Sequence, residues 1–241
     1  MSNYNTSQFE KDIKELGITL SDKQISQFIS YYEMLVEWNQ VMNLTAITEY
    51  EEVMKKHFLD SITLIKAFDI TKKVSVIDVG CGAGFPGLAL KIAYPNLKVT
   101  LLDSLNKRIH FLDEVIVKLG LEGVETIHGR AEDFAKPGKL RECYDLAVSR
   151  AVANLSTLSE YCLPFVKKGG YFIPFKSEKV LEEIKDAEKA LSVLGGTLEG
   201  QVEFTLPDTD YYRNLVVIKK TKSTPAKFPR KAGLPGKEPI K

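Results

Sequence analysis

A run of closely spaced glycines between a predicted strand and a predicted helix limits the folds open to this chain. The apolar stretch 74–79 leads into Gly80, Gly82, Gly84 and Gly87, and a helix-like stretch follows. Because glycines lack Cβ atoms, such a turn forms a floor of bare backbone on which a nucleoside ligand can lie. The last three glycines also match a dinucleotide fingerprint, so the glycines alone leave the ligand open.

Strand-like and helix-like stretches alternate from residue 74 onward, which predicts a parallel sheet with helices on both faces. Two closely spaced strand-like runs, 196–206 and 213–219, then predict an antiparallel hairpin. Five parallel strands and a hairpin resemble the seven-stranded, Rossmann-like α/β fold of class I S-adenosylmethionine-dependent methyltransferases. The parallel strands are expected at 74–79, 99–103, 124–128, 144–149 and 171–175.

Composition and patterning divide the 241 residues into three parts. Residues 1–70 are expected to form a helical region, 71–221 the sheet domain and 222–241 a basic tail. Residues 219–241 hold eight Lys or Arg and one Glu, so a net charge of +1 hides a basic end suited to a polyanion.

Targeting and metal-binding patterns are lacking in this sequence. No apolar run approaches the roughly 20 residues that span a bilayer, and the first residues do not follow the order of a signal peptide. Three cysteines without Cys-x-x-Cys spacing fit a reducing cytoplasm, and the three histidines show no metal-ligand spacing. We therefore expect a cytoplasmic protein that binds neither a membrane nor a metal.

Carboxylates at the predicted strand ends suggest which nucleoside the glycines hold. Asp78 precedes Gly80 and would repel a pyrophosphate, whereas it suits the sulfonium and ammonium groups of S-adenosylmethionine. Asp103, at the end of the second strand, could accept the ribose hydroxyls or cap the next helix. Near Ala131 a backbone N–H, or the Glu132 carboxylate, could read the adenine edge, although Glu132 could equally be a helix-start acid.

Arg150, at the end of the fourth predicted strand, is costly there without an anionic partner. The same region lacks an Asn/Asp-Pro-Pro-aromatic corner for exocyclic amines and a Cys-Pro pair for pyrimidine carbons. Guanine N7 carries a free lone pair at neutral pH, so its methylation needs alignment and no general base. The residues therefore permit N7 chemistry without requiring it.

Several longer motifs resemble one family from end to end, the 16S ribosomal RNA guanine-N7 methyltransferases, also called glucose-inhibited division protein B. The motifs are Trp38-Asn39 with Asn43-Leu44-Thr45, His57-Phe58-Leu59-Asp60-Ser61, Asp78–Gly87, Gly129-Arg130-Ala131-Glu132, Ser149-Arg150-Ala151 and Pro229-Arg230-Lys231-Ala232-Gly233-Leu234-Pro235. The resemblance implies methylation of one guanine in the decoding-region loop of 16S rRNA. It also implies that Gly80, Phe85, Ala131, Glu132 and Arg150 contact S-adenosylmethionine.

The tail and the junction between the helical region and the sheet domain are candidates for the RNA side. In the tail, Lys227, Arg230, Lys231 and Lys237 could neutralise phosphates and Phe228 could stack on an unpaired base. At the junction, His57 and Asp60 could form a hydrogen-bonded pair that orients the guanine; the alternative is a purely structural histidine.

Two other functions remain compatible with these residues. A nicotinamide-dependent oxidoreductase could use the same glycine loop, although Asp78 and the terminal hairpin argue against it. A ribosome-assembly protein could keep the cofactor fold as an inactive RNA-binding scaffold. The partner is expected to be 16S rRNA or the 30S subunit in every reading except the oxidoreductase.

Overall fold

The computed structural model describes residues 4–178 and 180–241. Its N-terminal helical region begins with α1, Ser7–Glu15, and α2, Asp22–Met42. A reciprocal pair of hydrogen bonds between Ser21 and Gln24 caps the start of α2, and Asn43 ends the helix in the left-handed conformation.

The third helical segment of the region 1–70 is irregular. It consists of α3, Tyr50–Val53, a π-helical turn, Met54–Leu59, the short α4, Asp60–Ile62, and a 3-10 turn, Thr63–Lys66. Within the π turn, the carbonyl oxygen of Lys56 accepts a hydrogen bond from Arg150 at 3.2 Å. The π turn thus offers a backbone carbonyl to Arg150, a residue outside the helix. Hydrophobic periodicity does not report such a contact.

The remainder of the chain builds a seven-stranded sheet with flanking helices. The strands are β1 Ser75–Val79, β2 Lys98–Asp103, β3 Val124–His128, β4 Tyr144–Arg150, β5 Val166–Lys176, β6 Gly196–Thr205 and β7 Tyr212–Lys220. The helices are α5 Gly87–Ala93, α6 Asn106–Leu119, α7 Ala131–Phe134, α8 Leu155–Cys162, α9 Val180–Leu194 and α10 Leu234–Lys237.

The strand order is β3-β2-β1-β4-β5-β7-β6, and β7 pairs antiparallel with both β5 and β6. The other neighbours are parallel. This arrangement confirms the predicted class I methyltransferase fold. Because β2 and β4 lie on opposite sides of β1, the order reverses there, and ligands of open α/β sheets bind at such a reversal.

Two hydrophobic cores cover the two faces of the sheet. Alternate residues of β1 separate them, since Val76 belongs to one core and Ile77 to the other. The helical region packs into the first core together with α5 and α6; for example, the Tyr31 ring stacks on Phe85 with centroids 5.5 Å apart. The tail residue Phe228 lies in the second core. The helical region and the tail residue Phe228 therefore pack on opposite faces of the sheet.

Candidate functional site

A cavity of about 980 Å³ opens beyond the carboxyl ends of the parallel strands, between the sheet and the helical region. One side is formed by residues 80–87, here called the glycine loop, and the other by the helical region and the start of β7. Its lining includes Thr45, Lys56, His57, Asp60, Gly80, Cys81, Gly82, Ala83, Phe85, Asp103, Arg108, Arg150, Phe175, Lys176, Glu183 and Arg213.

The glycine loop presents backbone to this cavity at Gly82. With φ of 58°, Gly82 adopts a conformation that L side chains rarely take, and a Cβ there would meet no described atom within 4 Å. Its N–H donates to Asp103 Oδ2 at 2.9 Å, which fixes the loop against the end of β2. At Gly80, in contrast, a Cβ would lie 2.6 Å from Val152 Cγ2. The predicted bare-backbone floor is therefore present, and its open point is Gly82.

Gly84 was expected to contact the cofactor, but it faces the protein interior. A Cβ on Gly84 would approach the side chains of Leu88 and Leu112 at 2.9 Å and would also meet the Tyr31 hydroxyl. That hydroxyl donates to the carbonyl oxygen of Ala83. Gly84 therefore allows close packing of the loop on the helical region and does not line the cavity.

Asp78 is also buried beneath the loop, where it was expected to face a cationic ligand. Its side chain is fully buried, and Oδ2 accepts a hydrogen bond from the N–H of Gly87 at 2.8 Å. Oδ1 has no hydrogen-bond partner among the described residues. Burial raises the pKa of Asp78 from its ordinary 3.8 to about 7. In this structure Asp78 therefore holds the loop and does not touch the cavity.

Asp103 joins the end of β2 to the glycine loop and to the turn before α6, and it does not cap that helix. Oδ1 accepts from the N–H of Leu105 at 2.9 Å, whereas the start of α6 has no side-chain cap. Oδ2 accepts from Gly82 N–H and from Arg108 Nη1, at 2.9 and 3.2 Å. The carboxylate nevertheless lines the cavity, and an ionised carboxylate has further acceptor capacity toward a ligand.

A second cavity of about 410 Å³ lies around the end of β1 and shares Gly80 and Asp103 with the first. Ala131 and Glu132, at the start of α7, line it together with Gly236 of the tail. Glu132 Oε1 accepts a hydrogen bond from the N–H of Gly233 at 2.8 Å. The predicted adenine subsite is therefore built partly by the C-terminal tail, which the sequence did not indicate.

Arg150 projects from the end of β4 and joins the sheet to the helical region. Its Nη1 donates to Asp60 Oδ2 at 3.0 Å and to the carbonyl oxygen of Lys56 at 3.2 Å. Its Nη2 lies 3.3 Å from His57 Nδ1, and its guanidinium sits 5.2 Å from the centroid of Phe85. The anionic partner that the sequence demanded for Arg150 is thus Asp60.

His57 and Asp60 do not form the hydrogen-bonded pair that their spacing suggested. Arg150 bridges them instead, and His57 Nε2 lies 2.8 Å from Thr45 Oγ1. Burial, reinforced by the Arg150 charge, lowers the pKa of His57 from 6.5 to about 3. A neutral His57 accepts from Arg150 through Nδ1 and donates to Thr45 through Nε2.

Arg213 is a cavity residue that the sequence analysis missed. It is the second residue of β7, and its Nε donates to Asp60 Oδ1 at 2.8 Å, so Asp60 is shared by Arg150 and Arg213. We call these three residues the arginine cluster. Because β7 runs antiparallel to β5, its first residues lie at the edge where β5 ends, beside Lys176. The predicted hairpin contained this signal, since it placed Arg213 at the start of the returning strand.

The tail residues proposed for RNA binding fall into two groups. Phe228 is 8% exposed and its ring packs in the second core, so the ring is not available to stack on a base. Arg230 donates to both carboxylate oxygens of the buried Glu160, at 2.7 to 3.1 Å, so its charge is already paired. Lys227, Lys231 and Lys237 are exposed. Phe228 is therefore not available for stacking, the contact of Arg230 with RNA stays a prediction because its side chain is 24% exposed, and the lysines remain candidates.

In the part of the chain that the structure describes, no three His, Cys, Asp or Glu side chains converge as metal ligands. Among the same residues, no helix combines the length and apolarity needed to cross a bilayer.

Comparisons with known proteins agree with this geometry. Relatives named ribosomal RNA small subunit methyltransferase G include one from Lachnoclostridium phytofermentans, 56% identical over 98% of both chains. Others come from Bacillus cereus, 53% identical over 98% of this chain and 99% of the relative, and Clostridium botulinum, 51% identical over 96% and 97%.

Solved structures share the fold at low sequence identity. A SAM-dependent methyltransferase from Aquifex aeolicus matches 70% of this chain and 93% of its own, with a TM-score of 0.52 and 21% identity. M. jannaschii TYW2, solved in complex with AdoMet, matches 66% and 74%, with a TM-score of 0.50 and 19% identity. The family model described as "rRNA small subunit methyltransferase G" matches residues 24–210. The chain therefore belongs to the rRNA small subunit methyltransferase G family.

Proposed function

We propose that this protein transfers a methyl group from S-adenosylmethionine to N7 of one guanine in the decoding-region loop of 16S rRNA, in the bacterial cytoplasm. The observation that carries the proposal is one continuous cavity with two unlike ends. At one end Gly82 offers open backbone, and at the other the arginine cluster offers positive charge. A nucleoside donor fits the first end and a polyanionic acceptor fits the second.

The cofactor end has partners for each part of S-adenosylmethionine. Gly80 and Gly82 supply the floor, and the remaining acceptor capacity of Asp103 suits the ribose hydroxyls. Ala131 and Glu132 line the second cavity, which has room for the adenine ring. Phe85 and Arg150 lie between this end and the arginine cluster, where the methionine part would extend.

Asp78 and Gly84 do not line the cavity, but they fix the conformation of the glycine loop. Asp78 holds the turn through the N–H of Gly87, while Gly84 permits the close contact with Tyr31. We therefore assign both residues a positioning role in cofactor binding.

The side chains near the arginine cluster favour a reaction without a general base. When bound, S-adenosylmethionine supplies a methyl group on a positively charged sulfur, and guanine N7 accepts it without losing a proton. His57, with its pKa near 3, stays neutral, and both of its ring nitrogens form hydrogen bonds, one with Arg150 and one with Thr45. His57, Asp60 and Arg150 then orient the acceptor and exclude water, which is the contribution that in-line displacement requires.

Cys81 also lines the cavity, but it is unsuited to nucleophilic attack on a pyrimidine carbon. Burial raises the pKa of its thiol well above the ordinary value, so the thiolate is scarce at neutral pH. The raised pKa of the Cys81 thiol favours N7 methylation over methylation at carbon. The exposed Lys227, Lys231 and Lys237 would add phosphate contacts outside the cavity.

Methyl transfer itself tests the proposal. Purified protein is incubated with S-adenosylmethionine labelled in its methyl group and with 16S rRNA or 30S subunits. We expect label in the RNA with the wild type and none with Gly82→Asp. The new carboxylate would occupy the open space above Gly82 and would add a second negative charge next to Asp103. Calorimetry with S-adenosylhomocysteine and NADH is the companion measurement. Heat with NADH alone would favour an oxidoreductase, and rRNA binding without label would favour an assembly scaffold.

A further inference from the structure

The charged groups of the large cavity are not balanced. Its described lining includes five basic side chains and three acidic ones: Lys56, Arg108, Arg150, Lys176 and Arg213 against Asp60, Asp103 and Glu183. Most of the cations have a carboxylate of their own. Arg108 pairs with Asp103, and Lys176 pairs with Glu183.

Lys56 is neutralised from outside the cavity by Glu52, which leaves the excess at the arginine cluster. There, two guanidinium groups share the single carboxylate of Asp60. The Arg150 and Arg213 side chains are 14% and 22% exposed, so neither charge is fully solvated. A partly buried surplus charge is costly, and an anion that enters beside it is stabilised.

Arg213 has donors to spare for such an anion. Its Nε is used by Asp60, and its Nη1 donates to the carbonyl oxygen of Tyr212 at 2.9 Å. Its Nη2 makes no hydrogen bond to residues 4–178 or 180–241. Because Asp60 and Tyr212 already orient the guanidinium plane, little side-chain entropy remains to be lost when a ligand binds.

The methyl donor does not remove the surplus. S-adenosylmethionine carries a sulfonium, an ammonium and a carboxylate, so it adds one further positive charge to the cavity. Its carboxylate can pair with Arg150, which lies nearer the glycine loop, but its sulfonium and ammonium keep the cavity positive, and Arg213 keeps its unused Nη2 donor. The edge of a guanine is neutral and cannot supply the missing charge, whereas a phosphodiester can.

We propose that Arg213, oriented by Asp60, binds a backbone phosphate of the nucleotide that receives the methyl group. This inference rests on the proposed function, because it takes the acceptor to be RNA. Arg213 is thereby an RNA-binding residue, and Asp60 positions it. The phosphate contact would place the acceptor nucleotide at the end of the cavity opposite Gly82.

Two substitutions at one position separate charge from shape. Arg213→Gln keeps an N–H donor toward Asp60 and removes the positive charge. Arg213→Lys keeps the positive charge and removes the planar guanidinium group. Lys219→Gln is the matched control, since Lys219 lies at the other end of the same strand and pairs with Glu199 at 3.0 Å. The affinity for 16S rRNA is measured across a salt series with saturating S-adenosylhomocysteine. Cofactor affinity and melting temperature are measured in parallel.

For Arg213→Gln we expect rRNA affinity to fall about tenfold and the dependence of log affinity on log salt to flatten by about one unit. Arg213→Lys should restore the slope, and Lys219→Gln and all cofactor affinities should match the wild type. An unchanged slope in Arg213→Gln would overturn the proposal, because the contact would then involve no phosphate. An equal loss of S-adenosylhomocysteine affinity would also overturn it and assign Arg213 to the cofactor.

The proposed function fails separately. If the wild type binds rRNA with an Arg213-dependent slope but labels no guanine, the phosphate site stands and the methylation is wrong. If the wild type labels the RNA and Arg213→Gln keeps the wild-type salt slope, the phosphate site is wrong and the methylation stands.

Discussion

The C-terminal tail and the arginine cluster are both basic, yet their charges are used differently. In the tail, Arg230 is bound on both sides of its guanidinium fork by Glu160, whose side chain is 1% exposed. In the cluster, Arg150 and Arg213 share one carboxylate and face a cavity. The tail arginine therefore stabilises the fold, while the cluster retains charge for a ligand. The net charge of a segment does not show which of these applies.

Arg150→Gln should produce the largest loss in the cluster. We expect methyl transfer to fall roughly a hundredfold, since the contacts to Asp60, the Lys56 carbonyl and His57 are all weakened. The melting temperature should change little because Arg213 still pairs with Asp60. Turnover and thermal unfolding are measured on the same preparation. A lower melting temperature with normal turnover would give Arg150 the structural role assigned here to Arg230.

Arg230→Ala should show the opposite pattern. Removing the guanidinium leaves Glu160 buried without its partner, so the free energy of unfolding should fall by about 3 kcal/mol. The salt dependence of rRNA binding should stay that of the wild type. Denaturant unfolding and the salt series check the two parts. A flatter salt slope at unchanged stability would mean that Arg230 contacts phosphate after all.

Truncation after Ala232 tests whether the tail belongs to the cofactor site. It removes the Gly233 N–H from Glu132 and the Gly236 wall of the second cavity. We expect S-adenosylhomocysteine affinity to drop about tenfold by calorimetry. Truncation after Glu238 is the control, because it keeps both contacts. Equal affinities in the two truncations would separate the tail from the adenine subsite.

Replacing Lys227, Lys231 and Lys237 together with alanine should have a smaller effect. These side chains are exposed, where single charges contribute little, so we expect rRNA affinity to fall about threefold. Filter binding at two salt concentrations measures it. A loss larger than that of Arg213→Gln would move the main RNA contact from the cluster to the tail.

His57 should contribute nothing to the pH dependence of turnover near neutrality. With its pKa lowered to about 3, it stays neutral in the fold, whereas the unfolded chain takes up a proton below about 6.5. Stability should therefore decline as pH falls from 6.5 toward 3, and less so in His57→Gln. The profile of kcat against pH is the measurement. A step near 6.5 that disappears in His57→Gln would contradict the burial of His57 beside the Arg150 charge.

Much of the fold was predictable because it depends on local patterns. Hydrophobic periodicity gave the strands and most helices, and the glycines gave the position of the nucleoside floor. The assignments that failed depend on which way a side chain points after packing. Asp78 lies near the end of β1 and Gly84 in the glycine loop, as predicted, but both face the interior.

The predictions for the tail depended on long-range partners as well. Phe228 and Arg230 have the composition of an RNA-binding segment, but their partners are the second core and Glu160, which are distant in sequence. Arg213 was missed because nothing local distinguishes it; its role comes from the return of β7 to the edge where β4 and β5 end. Long-range pairing of charges is the information that a single sequence does not display.

Chemical mapping shows which guanine atom receives the methyl group. 16S rRNA treated with the wild type and S-adenosylmethionine is reduced with borohydride and cleaved with aniline, which cuts the strand at N7-methylguanosine. We expect one new break, at a guanine of the decoding-region loop, and none with Gly82→Asp. RNA that gains a methyl group but no such break would contradict N7 as the acceptor.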